Sequence, residues 1–150
     1  MIQVTRRYRI SASHRLHSPL LSEEENRRIF GRCNNPHGHG HDYTLEVTAQ
    51  GDVDDRTGSL IPLGALDRLV EEQVLSRYHL RNLNEEAPEF ATVVPTTENL
   101  AAAIALRLGD RWRTVFPDRW PELARVRILE TKRNIVETHV TPPPDAGSTE

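Results

Sequence analysis

The feature that most constrains the fold is a two-residue alternation that runs from His39 to Gly51. Apolar side chains occupy most odd positions of this segment, and polar or charged side chains such as Asp42 and Glu46 occupy most even positions. Because successive side chains of a strand point to opposite faces, the alternation predicts a strand with one buried face. His39 and His41 have the parity of that face, so both imidazoles are expected to extend it.

A second alternating segment lies near the start of the chain and ends on a third histidine, His14. The residues that share its parity are Ile2, Val4, Tyr8, Ile10 and Ala12. We therefore predict a strand with one buried face that ends at His14. Neutral imidazole is the commonest metal ligand, and three histidines with one open position describe a catalytic zinc site.

The only cysteine, Cys33, lies close to the histidine pair along the chain. Five residues, 34–38, separate it from His39. A thiol at this position is expected at the rim of a metal site, where it can exchange a proton with a metal-bound substrate. An isolated cysteine is more often a buried core residue, but its histidine neighbours favour a metal together with a base.

Two helices are predicted between two pairs of strands. The first has apolar residues at helical spacing and extends to about Arg77. The second begins after Pro95, with Thr96 or Thr97 as its N-cap. Residues 17–30 are interpreted as a surface excursion, and residues 78–95 as a long irregular connection. Two final strands are predicted at about 124–131 and 134–140.

This order of elements predicts an α+β fold with a four-stranded antiparallel sheet and both helices on one face. The domain is expected to cover residues 1–140. The last ten residues, 141–150, include three consecutive prolines and are expected to form a mobile tail. A four-stranded sheet leaves two open edges, which oligomerisation can pair.

Composition narrows the classes of partner. A net charge of -3 predicts no general affinity for nucleic acid or for anionic membranes. No apolar stretch approaches the roughly 20 residues that span a bilayer, and the first residues lack the apolar segment of a signal peptide. A single cysteine cannot form an internal disulfide, which favours a cytoplasmic location.

The motifs together resemble the 6-pyruvoyltetrahydropterin synthase family over nearly the whole chain short of the tail. The matching stretches are residues 11–16, 33–41, 94–99, 130–131 and 134–136. Separated motifs in the right order make the resemblance specific. It implies the T-fold, in which trimers of four-stranded subunits close a barrel. Two trimers then stack into a hexamer with its sites at subunit interfaces.

The resemblance also implies roles for individual residues. His14, His39 and His41 match the family's zinc ligands, Cys33 matches its general base, and Glu130 matches the anchor of the pterin ring. A carboxylate suits this anchor because it accepts two hydrogen bonds from the N–H edge of a pterin.

Two further sets of residues are candidates for holding substrate. Thr96 and Thr97 match family positions near the pterin ring, although helix capping explains them equally well. Arg15 and Arg32 flank the site motifs and are candidates for binding the three phosphates, which require cations.

One short segment departs from the family pattern. The family carries an Asp-His pair, which serves in proton relay, in the connection before an Asn-Leu motif. Here His79 falls on the aspartate position and Leu80 on the histidine position. Two interpretations remain open. A loop shift keeps His79 as a functional histidine, or the chemistry is altered towards slower turnover, another product, or binding without full catalysis.

The resemblance implies a zinc-dependent lyase that eliminates triphosphate from 7,8-dihydroneopterin triphosphate. The five-residue spacing between Cys33 and His39 is typical of the pyruvoyl branch, whereas the 6-carboxytetrahydropterin synthases of the queuosine pathway usually have three. Three alternatives stay open. They are the 6-carboxy activity, cleavage of a pterin side chain, and a pterin-binding zinc protein with little catalysis. A purely structural zinc would instead require a closed site with four ligands.

Overall fold

The structure is a computed structural model that describes residues 1–140, and it contains one five-stranded mixed sheet with helices. The strands are β1 (Ile2–His14), β2 (His39–Gly51), β3 (Arg81–Asn82), β4 (Glu122–Leu129) and β5 (Ile135–His139). Their order across the sheet is β3-β1-β2-β4-β5. The predicted α+β class is confirmed. The predicted mobile tail, 141–150, lies outside the described residues.

Five α-helical segments connect the strands. They are α1 (Glu23–Phe30), α2 (Leu63–Val70), α3 (Ser76–Tyr78), α4 (Leu83–Glu86) and α5 (Thr97–Val115). A π-helical turn, Glu71–Leu75, joins α2 to α3. The first predicted helix therefore corresponds to one continuous helical stretch made of α2, this turn and α3. The second predicted helix is α5, and Thr96 is its N-cap.

The prediction of four antiparallel strands is wrong in one respect. A fifth strand, β3, pairs in parallel with β1, with Ala12 opposite Arg81 and Ser13 opposite Asn82. It lies within the segment interpreted as an irregular connection. A strand of two residues contains no repeat of the two-residue alternation, so its side-chain pattern carries no signal.

The segment interpreted as a surface excursion contains a helix, α1. Its N-cap is Ser22, whose hydroxyl accepts the Glu25 N–H at 3.1 Å, while the Glu25 carboxylate accepts the Ser22 N–H at 3.2 Å. This reciprocal capping box and the acidic first turn favour a helix start. Apolar periodicity misses α1 because its one buried residue, Asn26, is polar.

The core lies on one face of the sheet, under the helices. β1 and β2 pair in register from Ile2 opposite Gly51 to His14 opposite His39. Ile10, Leu45 and Ile128 on this face are fully buried. The remaining strand and helix residues of the cluster include Tyr43, Val47, Ala49, Leu66, Val70, Leu100, Ile104, Leu108 and Val126. Among residues 1–140, no helix has the length and apolar character needed to cross a membrane.

The opposite face of the sheet is polar but partly buried. Glu46 is only 4% exposed, and its carboxylate accepts from Arg7 Nε at 2.7 Å and from an Arg127 nitrogen at 3.3 Å. The even-numbered positions of β2 therefore do carry the polar side chains that the sequence indicates. At Glu46, ion pairs with the exposed Arg7 and the partly buried Arg127, rather than water alone, satisfy the buried carboxylate.

The burial of α5 generates a test of the packing. Leu108 is fully buried whereas Leu106, on the same helix, is 66% exposed. Leu108→Ala is expected to lower the free energy of unfolding by about 2–5 kcal/mol because it leaves a cavity. The matched change Leu106→Ala is expected to alter it by less than about 0.5 kcal/mol. Urea unfolding at one protein concentration measures both, and equal losses would contradict this packing of α5.

Candidate metal centre and active site

The pairing of β1 with β2 brings three histidines together at one end of the buried face. His14 lies opposite His39, and His41 lies opposite Ala12, all with the parity of the core. The ligand atoms of these three histidines and of Cys33 all lie within 4.8 Å of one another. The structure therefore brings the predicted metal ligands and the predicted base into one cluster.

The segment between Cys33 and His39 is shaped by its small and amide-bearing residues. Cys33 belongs to a short 3-10 helix, Gly31–Asn34, whose Cys33 carbonyl accepts the Leu16 N–H at 2.7 Å. The Asn35 carbonyl then accepts the Gly38 N–H at 2.8 Å. Gly38 has a φ of +68°, and a Cβ there would lie 2.6 Å from the His14 carbonyl oxygen. This turn thus needs glycine to let the chain pass close to β1.

The imidazole of His14 is oriented by a hydrogen bond to the backbone. Its Nδ1 lies 2.9 Å from the Pro95 carbonyl oxygen, and the Tyr43 hydroxyl lies 3.3 Å from the same nitrogen. A carbonyl only accepts, so Nδ1 carries the proton and the lone pair of Nε2 is free. Metal-bound histidines are commonly oriented through the second ring nitrogen in this way.

The Nε2 atoms of all three histidines are buried and make no hydrogen bond to the described residues; the carboxylate of Glu130 approaches Nε2 of His41 to 3.4 Å without hydrogen-bond geometry. Burial lowers the pKa of His14, and it also lowers the pKa of His41, so both rings favour the neutral form. Neutral imidazole is the form that binds a metal. Unpartnered buried nitrogens are costly in a folded protein unless something occupies the space between them.

The donor set fits a tetrahedral metal ion. Zinc–nitrogen and zinc–sulfur bonds of about 2.0–2.3 Å place neighbouring ligand atoms roughly 3.3–3.8 Å apart. The ligand atoms lie within 4.8 Å of one another, an upper limit about 1 Å above these spacings. The three histidines satisfy three positions, and the thiol lies either at the fourth position or beside it. These residues could therefore hold a metal.

The thiol of Cys33 lies in a partly buried environment next to a carboxylate. Burial raises its pKa, and the negative charge of Glu130 raises it further. A thiol in this environment stays protonated near neutral pH without a nearby positive charge. Its service as a base would depend on a cation in the histidine cluster.

Glu130 follows the last residue of β4 and points towards the metal ligands. Its Oε1 lies 3.4 Å from Nε2 of His41, and its side chain is only 12% exposed. Its other oxygen accepts a hydrogen bond from the Asn134 side-chain amide. The structure therefore brings Glu130 to the rim of the same cluster. The sequence analysis did not identify Asn134 as the partner of Glu130, because residue spacing does not show that the turn between β4 and β5 brings the two side chains together.

Thr96 and Thr97 lie at the start of α5, immediately after the proline whose carbonyl holds His14. Thr96 caps the helix, since its hydroxyl accepts the Asn99 N–H at 3.2 Å. The Thr97 residue is 3% exposed. The role of Pro95 could not be predicted, because a backbone carbonyl leaves no mark on residue type. Tyr43 shares the parity of His41, which is the signal that could have identified it.

His79 lies outside this cluster. Its Nδ1 accepts the backbone N–H of Ser11 at 3.0 Å, and the Leu80 N–H donates to the Ser11 carbonyl at 2.6 Å. Both bonds are on the side of β1 that faces β3. Leu80 has a φ of +59° and is 76% exposed. The departure from the family pattern therefore lies at a sheet edge.

Comparison with known proteins shows one family over nearly the entire domain. The family model described as 6-pyruvoyl tetrahydropterin synthase matches residues 3–140. The human 6-pyruvoyl tetrahydrobiopterin synthase is 44% identical over 134 residues, which are 89% of this chain and 88% of that protein. The Drosophila melanogaster protein of the same name is 43% identical over 135 residues, 89% of this chain and 76% of that one.

A solved structure supports the same conclusion. The Caenorhabditis elegans 6-pyruvoyl tetrahydropterin synthase superposes with a TM-score of 0.83 at 35% sequence identity. The match covers 93% of this chain and 96% of that chain. Sequence and fold thus agree on the group of proteins that this chain is similar to.

The close approach at Gly38 generates a test of how the metal ligands are positioned. Gly38→Ala is expected to reduce zinc affinity by roughly 10–100-fold, because the new methyl group displaces the backbone of His14. Gly58→Ala is the control, since Gly58 has a similar φ of +69° with nothing within 4 Å of a Cβ. It is expected to lower the free energy of unfolding by about 1–2 kcal/mol through backbone strain alone.

The measurements are zinc affinity by competition with a chelator and stability by urea unfolding. Unchanged zinc affinity in Gly38→Ala, or an equal loss in Gly58→Ala, would contradict the assigned close approach.

Proposed function

The chain belongs to the 6-pyruvoyl tetrahydropterin synthase family, and on that premise we propose that it is a zinc-dependent lyase that eliminates triphosphate from 7,8-dihydroneopterin triphosphate. The product is the 6-pyruvoyl tetrahydropterin. The spacing between Cys33 and His39 and the names of the similar proteins both favour this product over the 6-carboxy one.

The observation that carries the proposal is the convergence of three unpartnered imidazole nitrogens on one thiol. His14, His39 and His41 present free Nε2 atoms to a shared space, and the thiol of Cys33 lies beside it. Three neutral nitrogen ligands with further coordination positions available are typical of catalytic zinc. We propose zinc as the metal and these histidines as its ligands.

The protein residues then divide the chemistry between them. A bound zinc ion supplies Lewis acidity towards the side-chain oxygens of the substrate and a positive charge that favours the thiolate of Cys33. Cys33 takes a proton from a side-chain carbon. The electron pair left on the substrate expels triphosphate, and tautomerisation gives the pyruvoyl side chain. A positioned base of this kind typically contributes about 10²–10⁴-fold to the rate.

The pterin ring is held on the side of the cluster where Glu130 lies. The Asn134 amide orients one oxygen of Glu130, so the carboxylate presents itself in a defined direction. We propose that it accepts hydrogen bonds from the N–H edge of the pterin. Thr96 and Thr97 lie next to Pro95, whose carbonyl contacts His14, and we propose that they line the ring pocket.

His79 remains a proposed catalytic residue with an unusual position. Its Nδ1 accepts a backbone N–H, so the neutral ring carries its proton on Nε2. The ring lies at the sheet edge beyond β1, where a neighbouring subunit could pack. We propose that His79 transfers protons to the site of a neighbouring subunit and that the exposed Leu80 has no part in proton transfer.

The sheet edges support assembly into a barrel. β3 covers only two residues of β1, and β5 ends the sheet on the other side. Open strand edges are templates for pairing with another chain. We propose the T-fold assembly, a trimeric barrel stacked in pairs as a hexamer. We also propose a cytoplasmic location, which fits the single thiol.

A product assay with one substitution tests the proposed function. Zinc-loaded protein is incubated with 7,8-dihydroneopterin triphosphate, and the pterins are resolved by chromatography and mass. The expected result is release of triphosphate with a 6-pyruvoyl product. Cys33→Ala is expected to reduce turnover by at least about 10²-fold, because the base is lost, while zinc content is retained.

The control variant is His37→Ala, which removes an exposed histidine of the same motif outside the four-residue cluster. It is expected to keep most of the activity. Intact substrate with zinc-loaded wild-type protein would overturn the function, and full activity in Cys33→Ala would overturn the base.

The position of Glu130 generates a second test, by pterin binding. Glu130→Gln is expected to weaken the binding of neopterin by roughly 10–100-fold, because a hydrogen bond to a charged group contributes about 1.5–3 kcal/mol. Glu137→Gln, which changes a carboxylate on β5 that pairs with Arg125, is the matched control and is expected to have little effect. Fluorescence titration with neopterin measures both, and unchanged affinity in Glu130→Gln would remove Glu130 from the pocket.

A further inference from the structure

We propose that a polar cluster beneath the sheet edge positions the imidazole of His79 for proton transfer. The members of this tyrosine cluster are Tyr78, Glu89 and Arg107. The inference rests on the proposed function, because it takes His79 as a residue of the reaction. Tyr78 directly precedes His79 in the chain, so the cluster acts through that histidine and its members are positioning residues.

The three side chains of the tyrosine cluster bond to one another. The Tyr78 hydroxyl donates a hydrogen bond to the Glu89 carboxylate. Arg107 Nε donates to the same carboxylate at 3.0 Å and to the Tyr78 hydroxyl oxygen at 3.1 Å. Burial raises the pKa of Tyr78, and the bond to Glu89 raises it further, so the hydroxyl keeps the proton that it donates. Charge-assisted hydrogen bonds of this kind are stronger than bonds between neutral groups.

The tyrosine cluster joins three elements of the fold. Tyr78 is the last residue of α3, Glu89 lies in a short 3-10 helix, Pro88–Phe90, and Arg107 lies on α5. Tyr78 is fully buried, whereas the side chains of Glu89 and Arg107 are 24% and 25% exposed. A buried ring whose hydroxyl is also bonded leaves few orientations for the end of α3, and His79 is the next residue.

The helix that carries Arg107 also supports a proposed metal ligand. The N-cap of α5, Thr96, follows Pro95, whose carbonyl oxygen lies 2.9 Å from His14 Nδ1. Arg107 lies about three turns further along the same helix. The tyrosine cluster therefore attaches the segment of His79 to the element on which the orientation of His14 depends.

The residue after His79 has a backbone conformation that requires support. Leu80 has a φ of +59°, in the left-handed region that a residue with a Cβ atom rarely adopts. Its side chain is largely exposed, so burial of the leucine does not compensate for the strain. Such conformations persist where surrounding contacts enforce them, and they occur frequently at functional sites. Contacts on both sides of Leu80 are therefore needed to hold this turn.

Strand β1 supplies the contacts on the other side of the turn. The Ser11 N–H donates to His79 Nδ1 at 3.0 Å, and the Ser11 carbonyl accepts the Leu80 N–H at 2.6 Å. With Tyr78 fixed by its cluster, the turn is held from both directions. Nε2 of His79 then carries its proton in a defined direction. This matters for the rate, because a misplacement of reacting groups by about 1 Å can cost roughly 10²-fold.

A similar group of side chains elsewhere in the chain supplies a matched control. The Tyr8 hydroxyl donates to Asp67 at 2.7 Å, and Arg6 donates to both oxygens of that carboxylate. Tyr8→Phe and Tyr78→Phe therefore each remove one hydroxyl from a tyrosine, carboxylate and arginine group. Only Tyr78→Phe removes it from the residue next to the proposed proton-transfer group.

A double-mutant cycle tests whether Tyr78 acts through His79. Turnover of 7,8-dihydroneopterin triphosphate is measured with zinc-loaded protein. Tyr78→Phe is expected to lower kcat at least about tenfold and to keep KM within about twofold, because the histidine is displaced while the binding groups remain. In a His79→Gln background the same change should cost less than about twofold, since the group that it positions is already gone. Tyr8→Phe should change kcat by less than about twofold.

Glu89 provides the conservative comparison. A glutamine oxygen still accepts the hydrogen bond of the Tyr78 hydroxyl, so Glu89→Gln is expected to keep kcat within about threefold. Glu89→Ala removes the acceptor and should match Tyr78→Phe. Equal kcat values in Tyr78→Phe and Tyr8→Phe would overturn the positioning role. So would the same loss with and without His79, or equal kcat values in the two Glu89 variants.

Amide hydrogen exchange separates this inference from the proposed function, because it needs no turnover. Tyr78→Phe is expected to speed exchange of the Leu80 N–H at least about tenfold through local opening of the turn. Exchange of the Val47 amide in β2 should stay within about twofold, and Tyr8→Phe should leave the Leu80 amide unchanged. This pattern in a protein without turnover would overturn the function and keep the anchoring of His79. Unchanged exchange at Leu80 in Tyr78→Phe of an active enzyme would overturn the inference alone.

Discussion

The pairing of β1 with β2 is the interaction on which the rest of the structure depends. It runs over thirteen residues of each strand and keeps one register from Ile2 opposite Gly51 to His14 opposite His39. A slip by one residue would turn every side chain of a strand to the other face. That slip would move the apolar residues out of the core and would also separate the histidines. Burial of the core residues therefore stabilises the same register that assembles the histidine cluster.

The two ends of the buried face carry different kinds of side chain. Along most of their length the strands present aliphatic residues to the helices, and burial of this apolar surface supplies most of the stabilisation. Near His39 the same face changes to imidazole groups without changing its geometry, and the thiol of Cys33 approaches them from the 3-10 helix Gly31–Asn34. Rigid strands on a packed core give these groups a precision that a loop could not supply. An open cavity lined by Arg15, Arg27 and Arg32 lies beside this end.

Alternation in the sequence predicted the two long strands and the shared face of three histidines, because side-chain direction in a strand depends only on parity. Other features required contacts that parity does not encode. β3 is too short to show a period, and α1 is held by its caps and by the buried amide of Asn26 instead of by an apolar stripe. The orientation of His14 depends on the carbonyl of Pro95, and any residue type has a carbonyl. The distance from Glu130 to His41 arises from strand length and a turn, so residue identity alone could only suggest it.

The hydrogen bond between His14 and Pro95 also joins two parts of the protein that are far apart in the chain. Nε2 of the imidazole is directed to the shared histidine space, while Nδ1 contacts the carbonyl of Pro95, which immediately precedes the N-cap of α5. An ion that binds only the folded arrangement stabilises it in proportion to the logarithm of its concentration. The imidazole ring of His14 connects the histidine cluster to the start of α5, so such stabilisation would extend to that helix. On the proposed zinc site, metal occupancy and the docking of the longest helix would therefore be thermodynamically linked, and each would make the other more favourable.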